Sequence, residues 1–112
     1  MHERLAAEPY CYLTTTGRVS GLPRQIEIWF GLRKRTIFML SGGGTRSNWV
    51  RNLLADPRVA VEIGGEGFRG RARIVADPAE EAAARELVAG KYDRLDSDWR
   101  RSAVVVAVDL EP

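Results

Sequence analysis

Hydrophobic and polar residues alternate most plainly between Arg24 and Leu32, where Ile26, Ile28 and Phe30 are separated by Gln25, Glu27 and Trp29. A period of two is that of a strand with one buried face. Before it lies a strand at Tyr10–Thr16, bounded by Pro9 and by the Gly17–Pro23 turn cluster. After it, across Arg33–Arg35, comes a third at Thr36–Leu40, and so short a gap implies a hairpin. Three consecutive glycines within Ser41–Ser47 break the pattern. Asn48–Ala55 then reads as a short helix with Trp49 and Leu53 inward, and Val50 and Leu54 as further candidates. Asp56 and Pro57 stop it. Val59–Ile63 and Phe68–Val75 are two more strands, joined by the glycine-rich Gly64–Gly67 turn.

In Asp77-Pro78-Ala79-Glu80 a carboxylate caps a helix, proline fills its first turn, and Glu80 is placed to reach back as a capping-box partner. The helix is expected to run to about Tyr92, with Ala82, Ala83, Leu87 and Val88 as its apolar stripe. Asp93–Arg101 is polar, with a helical turn around Trp99, and Ala103–Leu110 closes the chain as a strand apolar enough to sit centrally. Six strands and two helices predict a mainly β fold, a closed or partly closed barrel forming a single domain over residues 1–112.

Composition narrows the function classes. With 45% hydrophobic and 29% charged residues in 112, the chain has the make-up of one soluble globular domain. Its longest apolar run, Ala103–Val108, is strand-sized, far short of the roughly 20 residues that cross a bilayer. Met1–Ala7 has no apolar core, so no signal peptide is expected and the chain reads as cytoplasmic. The single cysteine, Cys11, excludes an internal disulfide framework, and the lone His2 excludes a Cys/His zinc cluster. The net charge of +2 hides an asymmetry of +5 over residues 1–60 against −3 over the remainder. A small polyanion docking on the N-terminal half fits that asymmetry better than a nucleic acid does.

Little in the chain offers covalent chemistry. His2 is too close to the terminus for a catalytic triad, and Cys11, between Tyr10 and Tyr12 with no basic neighbour in sequence, reads as an inert core thiol. The carboxylates of the second helix and of Asp93–Asp98 read as solvated surface. A bound cofactor would have to carry the chemistry, with the protein supplying position and electrostatics. Two segments suit one. Thr14–Arg24 sets Arg18, Ser20 and Arg24 among glycines and hydroxyls in a tight turn, where the two arginines can clamp an anion. The other reading of this segment is a solvated hairpin with incidental arginines. Ser41, Gly42, Gly43 and Gly44 lead to the helix N-terminus before Trp49, whose free N–H groups and dipole favour a phosphate or a ring carbonyl. The other reading there is a flexible loop with Ser47 or Asn48 as helix cap. Arg69, Arg71 and Arg73 form a one-sided stripe, which fits a solvated face or dimer rim. Trp29 and Trp49 either line a ring pocket or fill the core.

Taken together, Thr-Thr-Gly-Arg-x-Ser-Gly-x-Pro-Arg at Thr15–Arg24, Ser-Gly-Gly-Gly at Ser41–Gly44, and the spacing of Trp49, Asn52, Leu53, Pro57 and Val59 resemble the deazaflavin-dependent nitroreductase family. The resemblance continues through Phe68–Val75 and Asp77-Pro78 and covers nearly the whole chain. It implies a six-stranded split β-barrel like that of the flavin-mononucleotide-binding pyridoxamine-phosphate oxidases, usually as a homodimer. It also implies the reduced deazaflavin coenzyme F420, a hydride donor with a phosphate and an oligoglutamate tail. The implied activity is hydride transfer to a flat electron-poor acceptor such as a quinone, an enone or a nitroaromatic. Carried across, Arg18, Ser20 and Arg24 hold the phosphate or tail. Ser41, Gly42, Gly43, Gly44 and the backbone before Trp49 contact the ring, and Asn52 belongs to the same cofactor motif.

Two positions depart from the resemblance, Val19 and Gly42, where relatives carry lysine. Near the C-terminal helix only Tyr92, with Trp99 beyond it, stands for the several tyrosines of relatives. The missing lysines leave flavin mononucleotide, with its single phosphate, as an alternative cofactor. A non-catalytic ligand carrier is a further alternative, in which haem ligation would fall to Cys11, Tyr10, Tyr12 or Tyr92. No side chain presents itself as a catalytic acid, so the proton is expected from water.

Overall fold

A computed structural model of the protein describes residues 3–92 and 103–112. The strands are β1 Cys11–Thr16, β2 Pro23–Ile28, β3 Gly31–Arg33, β4 Thr36–Ser41, β5 Arg58–Ile63, β6 Glu66–Ile74 and β7 Val104–Leu110. The helices are α1 Glu3–Ala6, α2 Asn48–Ala55 and α3 Pro78–Lys91. Every strand pairing is antiparallel, in the order β2-β1-β5-β6-β7-β4-β3. The helical turn expected around Trp99 and the polar segment 93–101 lie outside the described residues, as does His2.

One feature of this order fixes the shape of the sheet. β2 and β3 occupy opposite edges, yet only Trp29 and Phe30 separate them in the chain. The step from Ile28 to Gly31 spans at most about 10 Å of extended backbone. The two edges must therefore approach one another, and the sheet curls into a half-barrel. Where sequence alternation implied one strand over Arg24–Leu32, the chain leaves β1 at Ile28 and joins β4 at Gly31. Alternation continues through the corner, because side chains keep facing in and out whichever neighbour the backbone pairs with. The result is seven strands where six were expected.

Inside the curl lie Cys11, Leu13, Phe30, Ile37, Met39, Val61, Ile63, Val106 and Val108, joined by Val50 and Leu53 of α2. A second cluster lies on the other face of β4 and β7: Phe38, Leu40, Val105 and Ala107 pack against Ala84 and Val88 of α3. These two strands are therefore buried on both faces, which accounts for their unbroken apolar runs, and β7 is central between β6 and β4 as expected.

The first helix, α1, was not anticipated. It is a single turn holding the buried Leu5, too short to show a period. In α3 the Asp77 carboxylate accepts from the Glu80 N–H at 2.9 Å, as the capping signature requires. Glu80 does not reach back, however. Its carboxylate takes both Arg73 Nη atoms at 2.7 and 2.8 Å. The buried face of α3 is Ala84 and Val88, with Leu87 and Ala83 half-buried and Ala82 exposed, a stripe rotated from the expected one toward the sheet. In α2, Leu54 is exposed while Val50 is buried.

The barrel corner is closed by the end of α3. Tyr92 Oη accepts from the Phe30 N–H at 3.1 Å and donates to the Pro9 carbonyl at 2.7 Å. Lys91 Nζ donates to the Phe30 carbonyl at 3.0 Å and sits 3.6 Å from the centre of the Phe30 ring. Trp29 stacks on Tyr92, ring centres 4.5 Å apart and planes within 5°. The fully buried Phe30 thus has both of its backbone groups satisfied by α3. Trp29 is accordingly a corner residue, 40% exposed, and not core.

Candidate functional site

The β1–β2 connection is a compact turn. The Gly17 N–H donates to the Leu22 carbonyl and the Gly21 N–H to the Gly17 carbonyl, each at 2.8 Å. Gly17 leaves room for this packing: a Cβ there would lie 2.7 Å from Ser20 Oγ and 3.2 Å from the Leu22 carbonyl oxygen. Gly21 sits at φ +72°, a region that glycine enters without steric cost. Ser20 Oγ braces the turn, accepting from the Leu22 N–H at 3.1 Å and from Arg24 Nη2 at 3.3 Å.

Between this turn, the inner face of β2 and one face of α2 opens a cleft of about 710 Å³, within the 300–1,000 Å³ common for small-molecule sites. Its cationic wall is Arg18 and Arg24. Its apolar wall is Ile26, Pro23 and Trp49. Strand register explains the side on which Arg24 lies. Arg24 stands opposite Thr15 and Ile26 opposite Leu13, so both share the inward face of β1.

Arg18 is tied to α2. Its Nη1 donates to Asn52 Oδ1 at 2.8 Å and its Nη2 to Asn48 Oδ1 at 3.2 Å, while its backbone N–H also donates to Asn52 Oδ1 at 3.2 Å. Asn52 Nδ2 donates in turn to Thr15 Oγ1 at 3.3 Å, both residues being buried. The structure thus brings Arg18, Ser20, Arg24, Trp49 and Asn52 to one cleft.

It does not bring Ser41, Gly42, Gly43 and Gly44 into that lining. Ser41 ends β4, buried, with its Oγ 3.0 Å from the Gly44 carbonyl and 2.9 Å from Ser47 Oγ. Gly44–Arg46 form one 3-10 turn, and Gly43 has no room for a Cβ against Ser47. Ser47 stands at the N-cap of α2 but makes no capping bond, because its hydroxyl faces Ser41. The glycine run serves to fold a tight link from β4 into α2.

Sequence reading passed over the cleft residues Asn48 and Ile26. The signals were the four-residue spacing of Asn48 and Asn52, which sets both on one helix face, and the alternation of Arg24 with Ile26. Val19, one of the two departures from the family pattern, is 94% exposed at the cleft rim.

The remaining reactive groups lie elsewhere. Cys11 is fully buried, and burial pushes its thiol up to about 12, outweighing the opposing pull of Lys91. It is an inert core thiol. Lys91 is pushed down to about 8 by burial, opposed by Cys11 and Glu8. Of the arginine stripe, Arg73 is paired with Glu80 and Asp109, holding both carboxylates below their ordinary range, while Arg69 and Arg71 point to solvent. Among the described residues no group of His, Cys, Asp and Glu is placed to hold a metal, and no helix is long and apolar enough to cross a membrane.

A curled antiparallel sheet with a helix-flanked cleft of this kind defines the split β-barrel fold. The chain belongs to the F420H(2)-dependent quinone reductase family, which it matches over residues 1–111, and it is an F420-dependent reductase. Solved structures share the fold at low identity. An F420-H2 dependent reductase superposes with a TM-score of 0.76 at 22% identity, over 89% of this chain and 93% of that one. A candidate 5-nitroimidazole antibiotic resistance protein from Bacteroides thetaiotaomicron gives 0.77 at 16% identity, over 98% and 78%. A structure described as a domain-swapped dimer gives 0.76 at 23% identity, over 89% and 79%.

Proposed function

We propose that this chain binds reduced F420 in the cleft between the β1–β2 turn and α2 and reduces a flat, electron-poor acceptor there, a quinone, an enone or a nitroaromatic. The observation that carries the placement is the company kept by its arginines. Arg58, Arg73 and Arg85 are each paired with a carboxylate. Among the described residues, Arg18 and Arg24 line the cleft and are held only by neutral oxygens, those of Asn48, Asn52 and Ser20. Their charge is fixed in position and left uncancelled, which is what an anionic group requires.

The residues fit the coenzyme on chemical grounds. Arg18, Arg24 and Ser20 offer guanidinium and hydroxyl donors to a phosphate or carboxylate, and Ile26, Pro23 and Trp49 offer an apolar wall to a flat ring. Bound and reduced, the deazaflavin supplies a hydride. The chain's own part is to orient the two flat molecules and to keep water from the apolar wall. Among the described residues no acid lines the cleft, so the proton is taken from solvent.

Purified protein titrated with F420, and in parallel with flavin mononucleotide, tests the reading through the deazaflavin's own fluorescence. Arg18→Ala and Arg24→Ala should each weaken F420 binding about tenfold or more, the scale of one lost charge-assisted contact. Unchanged affinity in both variants would put the anion elsewhere. We also read the protein as a homodimer, in line with the domain-swapped dimer that shares its fold. A monomer at all concentrations in sedimentation would remove that part.

A further inference from the structure

Arg18 is the most firmly held guanidinium of the cleft, and the manner of its holding is unusual. Asn52 Oδ1 accepts from it twice, from the backbone N–H at 3.2 Å and from Nη1 at 2.8 Å. Asn48 accepts twice as well, through Oδ1 from Nη2 at 3.2 Å and through its carbonyl from Nη1 at 3.5 Å. Asn52 is 5% exposed and braced from behind by Thr15, itself 2% exposed. An aspartate at either helix position would grip a guanidinium more strongly than an amide does. It would also cancel the charge. Asparagine immobilises the cation and leaves it free to act.

We propose that Asn52 and Asn48 are positioning residues that present Arg18 as a fixed, uncancelled cation, so that the cleft selects a deazaflavin bearing anionic groups over one without them. The inference rests on the proposed cofactor placement and assigns within it a role to two side chains. Asn52 then acts through Arg18 and is not itself a ring contact, since its Oδ1 is already taken up. Phosphate and tail carboxylates share the chemistry that Arg18 recognises.

The test compares the wild-type protein with Asn52→Asp, Asn48→Asp and Asn48→Ala. Each is titrated at several salt concentrations with F420 and with the same deazaflavin nucleoside stripped of phosphate and glutamates. Both aspartate variants should bind F420 about tenfold or more weakly. They should keep wild-type affinity for the stripped nucleoside, show a flatter salt dependence, and melt no lower than the wild type. Asn48→Ala, which loosens Arg18 without cancelling its charge, should weaken F420 binding measurably but less than Asn48→Asp does. A role in fold integrity alone would lower both affinities and the melting point together. Should Asn52→Asp fail to fold, Asn48→Asp carries the test, because a carboxylate in the exposed first turn of α2 is favoured by the helix dipole.

Wild-type affinity for F420 in both aspartate variants overturns the inference, as does equal loss of both ligands. A wild-type protein that binds F420 and the stripped nucleoside equally overturns the cofactor placement itself, a distinct result. A third ligand, keeping the phosphate but lacking the glutamates, separates the two sources of negative charge. If it binds like F420, Arg18 reads the phosphate. If it binds like the stripped nucleoside, Arg18 reads the tail.

Discussion

Tyr92→Phe isolates one hydroxyl at the corner where the barrel closes. The ring that stacks on Trp29 is preserved, so the change removes the acceptor of the Phe30 N–H and the donor shared by the Pro9 carbonyl at 2.7 Å and the Phe30 carbonyl at 3.2 Å. Phe30 is 0% exposed, and water has no ready access to its amide. A buried donor stripped of its partner costs about 1–3 kcal/mol; we expect about 2 kcal/mol. For a chain of 112 residues, an unfolding entropy of about 2.1 cal/mol/K per residue converts that to about 8 °C in melting temperature. Thermal and urea unfolding followed by circular dichroism would measure it, with an unchanged urea slope as the sign that only stability moved. Hydrogen exchange should locate the loss in β2 and β3, the edges that the corner joins. A loss under about 0.5 kcal/mol would refute the reasoning, because it would mean that the Phe30 amide is satisfied without Tyr92.

Two further outcomes follow from the same packing. Lys91 has a folded pKa of about 8, below its ordinary 10.5, so between these values the unfolded chain binds the extra proton and the wild type should gain stability as pH rises, relative to Lys91→Met. A difference between the two proteins that stays flat from pH 7.5 to 10.5 would show that burial does not penalise the ammonium. Gly70→Ala sets a Cβ 2.7 Å from Val108 Cγ1 and 2.9 Å from the Asp109 carbonyl oxygen across the β6–β7 pair. Because one of these atoms is backbone, the cost should be about 1–3 kcal/mol in urea unfolding, and a neutral substitution would mean that the sheet yields more easily than its pairing implies.

Much of the site was legible because it is local. The turn from Gly17 to Pro23 carries local reasons for three of its residues: a glycine where a Cβ would crowd Ser20, a glycine at positive φ, and a serine that braces the arginine four residues on. Such features depend on neighbours within a few positions, so they appear in a linear reading. The role of Asn52 does not. It rests on a backbone amide and a guanidinium 34 residues earlier in the chain, and only the packing of α2 against β1 brings them together. The glycine run at Gly42–Gly44 shows the converse. Its composition suits an anion cradle, but its position at the end of β4 leaves it outside the lining of the cleft, with the Ser41 hydroxyl turned to Gly44 and Ser47.

The fold divides along the same line. By itself the sequence determined which residues alternate, where α2 and α3 start and stop, and that Ala103–Leu110 sits centrally, since these follow from side-chain period, capping chemistry and hydrophobic run length. Tertiary structure alone decided that Arg24–Leu32 is shared between two edges. Alternation carries no information about which strand lies alongside, and the decision comes from the reach of two residues and from Tyr92 and Lys91 closing the corner. It alone decided the fate of Glu80 as well. A capping box and a bidentate pair with Arg73 compete for one carboxylate, and the charged partner offered by the end of β6, seven residues back, holds it more strongly than a backbone amide does.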